Sequence, residues 1–486
     1  MASGIEGLIY QYLQIENKKT GRKIDLSNSV IATDYYENIL QPCITMTLYI
    51  TTTRNVVSEL PIRGGEFVAC KFSTPSGTFK RGDLDSSGDI VEESNEMIVY
   101  KVSNLDTERE AAFFTLHLIS REYLIDRAVR CKGKFKYLTI DNHVRYILKD
   151  IMKTKKNCDI DLVNNPYSFM GNSNKPFHTI QWLCPKSISS SRSGSEGEDG
   201  TLNGKAYGVA GYLFFENKDG FNFKSIEGLV AETKKSEGSA DTKDTIHGTY
   251  SWTGLGGFES GDFRNNVRII NYYMEKNIDL RNALTVGTYV SDVQSLNIET
   301  QKLSSFRYDL SEELTEKLGA EGTLDIPFDA STRTIVKTTG HGFMGVGENG
   351  LEDTGRDKTD DAKATARYNL LFTQALNIEV PCNVNLKVGD IIKCDFPQLK
   401  DGRADEVDRS ASGKYLIQEL RHHFQIGKNI TSLKLIRDSY GFSSSQSPTE
   451  KLFERDEYQY GNTVPSGSFS ITPKPKKGNR RGSGVN

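Results

Sequence analysis

A repeated eight-residue pattern constrains the fold of this chain more than any other feature of its sequence. Residues 65–72 (GEFVACKF) and 389–396 (GDIIKCDF) share the order glycine, acid, two apolar residues, any residue, cysteine, charged residue, phenylalanine. Two further matches follow each copy in the same order: Tyr-x-(Val/Ile)-x-x-Leu at 100–105 and 415–420, and (Thr/Ser)-Leu-x-Leu-Ile at 115–119 and 432–436. Three matches in one order predict a duplicated unit.

Each copy is typical of a β domain. The glycine ends a turn, a strand follows with its apolar positions facing a core, and a second and third strand pair with it as a meander. Cys70 and Cys394 then occupy the same strand position, and we predict that both are small buried residues and not ligands. The alternative is that β proteins generically produce glycine-acid-apolar strand starts without duplication. If the unit is duplicated, three chains around an axis present six similar units, which lets a three-fold object meet a six-fold one.

We predict five segments, of which two carry the repeat. The first β domain is predicted at residues 1–136, and a small α/β domain follows at 137–228. The second β domain comprises 229–305 and 359–440, with an insertion at 306–358. Residues 441–486 are predicted to be a flexible basic tail. Apolar and polar residues alternate at period two in the β domains, as in Ile44–Ile50. The tail is rich in Ser, Pro, Gly and Lys, a composition that is typical of disorder.

The segment at residues 137–228 combines helical and extended patterns. Apolar residues of 140–152 recur at helical spacing, and Pro176 can open a second helix. Asp219-Gly220 separates two aromatic stretches and predicts a hairpin over 212–226, because glycine tolerates the positive φ of the turn.

Composition excludes several classes of protein. The net charge is -3, with no basic stripe in the globular part, which argues against binding to duplex nucleic acid. No run of about 18 apolar residues predicts a membrane span. Met1–Tyr10 lacks the basic and apolar regions of a signal peptide. The seven dispersed cysteines, without a Cys-x-x-Cys pair, predict reduced thiols in a protein assembled in the cytoplasm.

Residue patterns for catalysis or metal binding are weak. His422 and His423 are neighbours in a predicted strand and point to opposite faces, so we do not expect them to share a metal. His341 lies between glycines without a Glu or His partner at ligand spacing. The acid pairs Glu92-Glu93 and Asp360-Asp361 are typical of solvated faces or helix starts. Neither His-Glu-x-x-His nor Gly-x-Ser-x-Gly occurs. We therefore predict no catalytic, cofactor-binding or metal-binding residue.

Four further features are candidates for binding. The glycine-rich stretch 254–257 is not followed by the Gly-Lys-Ser/Thr of a phosphate loop. Trp182 lies at helical spacing and is predicted to be part of a core, whereas Trp252 is left unassigned. The basic residues of 474–481 are predicted to be a solvated tail, with binding to a neighbouring protein or nucleic acid as the alternative.

Three stretches resemble the baseplate hub proteins of contractile-tailed, myovirus-type bacteriophages, which are related to the hub domains of type VI secretion spikes. They are Leu60–Glu66 with the strands to Ile119 and the helix to Arg130; Pro176–Leu183 with Tyr212–Ile226; and Val380-Pro381 with Val388–Asp390, Ser412–Ile417 and Leu433–Ile436. The specificity of the resemblance lies in the order of these stretches. The chain departs from the family at Ser187–Lys205, in the insertion and in the tail.

The resemblance implies an α+β fold with two duplicated antiparallel tube-type β-barrel domains, an α/β domain between them and an insertion in the second barrel. It implies a homotrimeric ring in the tail baseplate of a virion, assembled in the host cytoplasm, that joins the hexameric tail tube to the trimeric central spike. The implied partners are the central spike protein, a tail tube or tube-initiator protein, the tape measure protein and baseplate wedge proteins. No membrane and no cofactor are implied, and DNA is only in transit through the lumen. The mildly acidic chain agrees with this, because a conduit should not retain phosphate.

Two other function classes stay open. A cell-wall-degrading tail enzyme with β carrier domains would need a catalytic acid pair in a cleft of the α/β segment. A tail tube protein or a capsid-proximal connector would form a hexamer, whereas a hub would form a trimer.

Overall fold

A computed structural model gives the fold of the chain. It describes residues 9–53, 62–74, 76–107, 111–189, 210–231, 246–252, 266–276, 279–297, 301, 303–309, 333–339, 360–397, 408 and 410–439. These residues are mostly in β-strands, with few helices. None of the described helices is long and apolar enough to cross a membrane. The predicted tail, His341 and the stretch 254–257 lie outside the described residues.

Ten strands form from the first predicted segment. They are β1 Ile9–Asn17, β2 Arg22–Asp25, β3 Val30–Asn38, β4 Thr45–Thr52, β5 Phe67–Thr74, β6 Gly77–Arg81, β7 Asp83–Leu84, β8 Ile90–Val91, β9 Met97–Thr107 and β10 Ala112–Ser120. Strands β2-β1-β5-β9-β10-β4-β3 follow one another in a sheet, and β6 pairs with β5. We call these eight strands the first strand set. The period-two prediction for Ile44–Ile50 is confirmed, because Met46, Leu48 and Ile50 of β4 face the core.

The α/β segment folds around a separate core, and the helix Arg121–Ala128, which lies inside the first predicted segment, packs against that core through Ile125 and is described with it. Its elements are α1 Arg121–Ala128, β11 Lys134–Thr139, α2 Ile140–Tyr146 with a π-helical turn Ile147–Ile151, β12 Cys158–Ile160, β13 Pro166–Met170, α3 Pro176–Leu183 with a 3-10 turn Cys184–Lys186, β14 Tyr212–Asn217, β15 Gly220–Ser225 and α4 Ile226–Ala231. Buried apolar side chains between Cys131 and Phe223 form this core. The predicted helix at Pro176 and the predicted hairpin are both confirmed. Gly220 has φ +136°, and a Cβ there would collide with the Asn157 carbonyl.

The third segment contains two sheets. Its elements are β16 Ile246–Trp252, β17 Arg268–Ile269, β18 Asn271–Lys276, α5 Leu280–Val286, β19 Val290–Asn297, β20 Leu303–Asp309, β21 Arg333–Thr339, α6 Asp360–Leu371, β22 Gln374–Pro381, β23 Ile391–Asp395, β24 Gly413–Gln425 and β25 Lys428–Arg437. Strands β16-β23-β24-β25-β22-β18 are paired in this order, and β17, which directly precedes β18, pairs back with β16. We call these seven strands the second strand set.

Strands β19, β20 and β21 form a sheet of their own, on which α6 packs. Strand β19 belongs to the predicted second β domain, whereas β20 overlaps the predicted insertion and β21 lies within it. The core beneath α6 consists of Val293, Tyr308, Ala362, Ala366 and Leu370. A small sheet thus draws on both sides of the predicted insertion boundary.

The two copies of the repeat form the same hydrogen-bonded arrangement. In the first, β5 pairs with β9 and β9 with β10; in the second, β23 pairs with β24 and β24 with β25. The Gly65 amide donates to the Val99 carbonyl at 2.8 Å, and the Gly389 amide donates to Ile417 at 3.1 Å. The return bonds also correspond, since Val99 N donates to Glu66 O and Ile417 N donates to Asp390 O, both at 2.9 Å.

This correspondence corrects one of the three sequence matches. Because Val99 aligns with Ile417, the residue equivalent to Tyr415 is Met97 and not Tyr100. Tyr415 is fully buried, whereas Tyr100 is 48% exposed. The third match is in register, because Ile119 pairs with Ile98 as Ile436 pairs with Leu416. Cys70 and Cys394 are both buried, as predicted.

Among the strands that the structure describes, one pairing joins the two strand sets. Strand β3 pairs with β4 on one side and with β24 on the other, so one sheet continues from the first set into the second. Buried residues of both sets form one continuous core beneath it. We call the β3–β24 pairing the joint, and it positions the groups considered next.

Candidate functional site at the joint

The sheet at the joint has one face on the core and an opposite face, which we call the polar face. Two rows of polar side chains cross it from β18 through β22, β25 and β24 to β3. The rows are Tyr273, Asn377, Lys434, Glu419, Asn38, and Asn271, Glu379, Ser432, Arg421, Tyr36. Directly opposed side chains in antiparallel strands are close enough to interact. The polar face is therefore an ordered surface that spans both strand sets.

Asp34 is the centre of the polar contacts at the joint. Its side chain is only 1% exposed, although it lies on the polar face. Arg421 on β24 donates from Nη2 to both Asp34 oxygens, at 3.0 and 3.1 Å, and His423 Nδ1 lies 2.7 Å from Oδ1. Burial and the Asp34 charge raise the pKa of both Tyr36 and Tyr49. An acid of the first set thus holds two side chains of the second through charge-assisted contacts.

Glu37 makes the corresponding contacts on the core face. It is 2% exposed, and its carboxylate accepts from the Tyr35 hydroxyl at 2.6 Å and from the Val388 amide at 3.0 Å. Arg81 of β6 lies 3.9 Å from Glu37 and also contacts the Tyr35 hydroxyl. Burial raises the pKa of Glu37, while these hydrogen bonds and Arg81 oppose the shift. One buried carboxylate therefore connects β3, β6 and the turn before β23.

The acid of each repeat copy holds the turn that precedes its strand. Glu66 accepts from the Arg63 amide at 3.0 Å and from the Gly64 amide at 2.9 Å. Asp390 accepts in the same way from the Lys387 amide, at 3.1 Å. Buried turn amides need such an acceptor. This requirement gives the glycine-acid pattern of the repeat its structural meaning.

Replacement of Asp390 by asparagine is expected to reduce the loss of stability between about pH 4 and pH 7. Burial raises the pKa of Asp390 from 3.8 to about 7, although the Lys387 charge acts in the opposite direction. The folded state therefore retains a proton that the unfolded chain has lost, and this group's contribution to stability disappears as the pH rises through 7. Asparagine keeps an oxygen acceptor for the Lys387 amide and does not titrate. Urea unfolding at several pH values tests this, and parallel curves for the two proteins would contradict it.

A second buried ion cluster connects the α/β segment to the first strand set. The Lys156 ammonium lies 2.6 Å from Glu216 of β14 and 2.5 Å from Glu122 of α1. Glu216 also accepts from the Ile44 amide at 3.2 Å, and Glu122 accepts from the Thr154 hydroxyl at 3.0 Å. Burial alone would lower the pKa of Lys156, but the two carboxylates raise it. The ammonium stays charged because two acids surround it.

The polar face contains a cleft of about 650 Å³ beside the joint. Its floor is formed by β22, β25 and β24, and Asn38 and Gln41 stand on one side of it. Tyr273 of β18 stands on the other side and is 66% exposed. This volume is in the range of sites for small ligands or short peptide segments.

The structure separates the two adjacent histidines. His422 is buried on the core face, where its Nδ1 lies 2.8 Å from the Thr431 hydroxyl, and burial lowers its pKa to about 3. His423 lies on the polar face against Asp34. Within the described ranges, no three His, Cys, Asp or Glu residues are grouped so that they could hold a metal ion.

The other residues considered in the sequence analysis make packing or ion-pair contacts within the fold or begin a helix. Trp182 packs against Tyr167 and Phe169 in the α/β core, and Trp252 packs against Tyr272. Glu93 pairs with Arg121 and Lys155 beside the first strand set. Asp360 and Asp361 begin α6.

Two clefts of the α/β segment have no acid pair among their described lining residues. One is lined by Phe169, Asn174, His178 and Trp182 among others, and contains no carboxylate among its described residues. The other contains Asp126, whose carboxylate accepts from the Phe177 amide at 2.8 Å at the start of α3. Asp126 is the single carboxylate in the described lining of that cleft, and it serves the helix end.

Sequence reasoning missed Asp34, Glu37, Arg81, Lys156 and Glu216. A usable signal existed for the first two, because both are acids in β3, where period-two alternation places neighbouring residues on opposite faces. A buried charge requires a partner, and that rule predicts a paired network near such acids. The partners of Asp34 are 387 and 389 residues away along the chain, so no local pattern identifies them.

Comparison with known proteins gives one sequence relative and several structures. No protein-family model matches the chain. A stretch of 69 residues, 14% of the chain and 16% of the relative, is 32% identical to the probable baseplate hub protein gp334 of Vibrio phage KVP40. The chain thus spans less than a fifth of that relative's length in the alignment.

Two solved structures overlap with most of the chain. A tail protein from Neisseria meningitidis MC58 has a TM-score of 0.47 and 11% identity, over 88% of this chain and 96% of that one. The 43 kDa tail protein of prophage MuSo2 from Shewanella oneidensis has a TM-score of 0.45 and 9% identity, over 88% and 98%. The resemblance to phage baseplate hub proteins that the residues indicated is confirmed by the Vibrio phage relative.

Proposed function

We propose that this chain is a structural subunit of a phage tail baseplate, and that it forms a homotrimeric ring between a hexameric tail tube and a trimeric central spike. The observation that carries the proposal is the matched hydrogen bonding of the two repeat copies, Gly65 to Val99 and Gly389 to Ile417. Each chain offers two similar strand units on one continuous sheet. Three chains then offer six units to a six-fold partner and keep three-fold symmetry for the spike.

We further propose how the domains and partners of this subunit are arranged. The two strand sets are two tube-type β-barrels, and the α/β segment stands beside them. The circuit of pairings through β16, β23, β24, β25, β22 and β18 supports this for the second set. The tape measure protein and then DNA pass through the ring, and baseplate wedge proteins contact its outside. The ring assembles in the host cytoplasm and becomes part of the virion.

The proposed work is done by surfaces and not by a catalytic group. The ion clusters at Asp34, Glu37 and Lys156 join segments of the chain to one another. A cell-wall-degrading enzyme would require an acid pair about 5–10 Å apart across a cleft. Asp126, the single carboxylate among the described lining residues of the two α/β clefts reported above, accepts a backbone hydrogen bond.

The subunit count of the purified full chain tests the proposal. Native mass spectrometry is expected to give a mass three times that of one chain. A six-fold mass would favour a tail tube or connector protein. Release of soluble fragments from purified peptidoglycan would favour the enzyme.

A further inference from the structure

Among the described residues that line the cleft on the polar face, Glu379 and Glu419 are carboxylates without an ion-pair partner, and Glu379 also lacks a side-chain hydrogen bond. Lys434 pairs with Glu275 at 3.0 Å, Arg421 pairs with Asp34, and Glu419 accepts from the Asn38 amide at 2.9 Å. Glu379 lies in the same cleft, and its carboxylate makes no hydrogen bond or ion pair with any residue that the structure describes. A partner that compensates this charge must bring a cation.

An exposed aromatic ring lies next to that carboxylate. Tyr273 pairs with Asn377, and Asn271 pairs with Glu379, so Tyr273 and Glu379 are diagonal neighbours across β18 and β22. Diagonal positions in an antiparallel pair are roughly 7–8 Å apart, within reach of aromatic and long side chains. Tyr272, the adjacent residue, points to the core face and packs against Phe396. The ring of Tyr273 therefore faces the cleft and is 66% exposed.

A carboxylate beside an aromatic face suits an ammonium or guanidinium group. The cation sits over the ring within about 6 Å of its centre. The carboxylate accepts from it at roughly 2.7–2.9 Å. The amide of Asn271, directly opposite Glu379, adds a further hydrogen-bonding group to this corner.

We propose that this cleft binds a lysine or arginine side chain from an extended basic segment of a partner protein, with Glu379 and Tyr273 as the contacting groups. The cleft continues past them across three strands, so the backbone that carries the cation lies over Asn377, Ser432 and Lys434. Beyond Glu379 the floor contains Lys434 and Arg421, which are paired with Glu275 and Asp34, and Glu419, which accepts from the Asn38 side-chain amide. The site lies within one chain and does not depend on the number of copies in the assembly.

Zero-length cross-linking of the full chain to an octalysine peptide tests the site. A carbodiimide joins a lysine amine to a neighbouring carboxylate as an amide with loss of water, and mass spectrometry locates the bond. Glu379 is expected to be the main carboxylate that couples. Coupling spread evenly over exposed acids such as Glu92 would overturn the proposal.

Calorimetric titration of the same peptide with four variants supplies the matched controls. Glu379→Gln and Tyr273→Ala are each expected to weaken binding at least fivefold. Glu92→Gln and Tyr100→Ala replace an exposed acid and an exposed tyrosine outside the cleft. Each is expected to change the affinity for the peptide less than twofold. Equal effects in both pairs, or tighter binding of octaglutamate than of octalysine, would overturn the proposal.

Discussion

Replacement of Arg81 by methionine is expected to lower the free energy of unfolding by about 3–5 kcal/mol, because it leaves Glu37 buried without its cation. Arg81 is 3% exposed, and its guanidinium lies 4.9 Å from the centre of the Tyr35 ring. Methionine fills a similar volume without charge. Urea unfolding of the full chain, followed by circular dichroism, measures the change.

The neighbouring residue supplies the control. Lys80 is also on β6, but its ion pair with Asp83 is nearly half exposed. Lys80→Met is therefore expected to cost at most about 1 kcal/mol. Equal destabilisation by the two variants would contradict the role given to Arg81.

A second variant separates charge from packing. Glu37→Gln in the Arg81→Met background removes the uncompensated charge while it keeps a similar side-chain shape. The double variant is expected to be less destabilised than the sum of the two single changes, since the groups interact directly. Additive effects would mean that Arg81 acts through packing alone.

Much of the strand arrangement could be predicted from the sequence, because local physics determines it. Alternation at period two identified β4, and the glycine-acid pattern identified β5 and β23. The acid at the strand start is now explained by the turn amides it accepts. The hairpin at Asp219-Gly220 followed from the φ that its turn requires.

The tyrosine match failed for a reason that spacing cannot reveal. Strand β9 carries two irregularities against β10, and β24 carries one against β25. The irregularity between Val99 and Lys101 corresponds to the one between Ile417 and Glu419, so both copies contain it at the same place. Tyr100 is the extra residue at this irregularity and is exposed, whereas Tyr415 lies three aligned positions earlier and is buried. The two tyrosines therefore match in local spacing without being structurally equivalent.

The candidate site could not be predicted because it depends on contacts that are distant along the chain. Glu37 meets Val388 across 351 residues, and Asp34 meets Arg421 across 387. The same strand that separates the two acids onto opposite faces brings both to the joint. Sequence indicates that an acid in a buried strand needs a partner, and only the fold says which partner it has.

Replacement of Lys156 by methionine is expected to destabilise the α/β segment by about 3–5 kcal/mol, because two buried carboxylates, Glu122 and Glu216, lose their shared cation. Trp182 reports on this core, so a Trp252→Phe background makes its fluorescence specific for the segment. Lys155→Met is the adjacent control: the Lys155 side chain is 74% exposed, so the expected change in the free energy of unfolding is at most about 1 kcal/mol.

The position of the Lys156 cluster makes a further distinction measurable. Glu216 also accepts from the Ile44 amide at the start of β4, so the cluster ties the α/β core to the first strand set. If the ion cluster couples the stability of the two parts, Lys156→Met is expected to give two separate urea transitions. The Trp182 fluorescence of the α/β segment then changes at a lower urea concentration than the β-sheet signal. If both signals still change at the same urea concentration, apolar contacts between the segments are sufficient to couple their unfolding. The ion cluster then contributes to stability without coupling the α/β segment to the strand sets. The outcome decides whether buried charge or apolar packing transmits stability between the α/β segment and the strand sets.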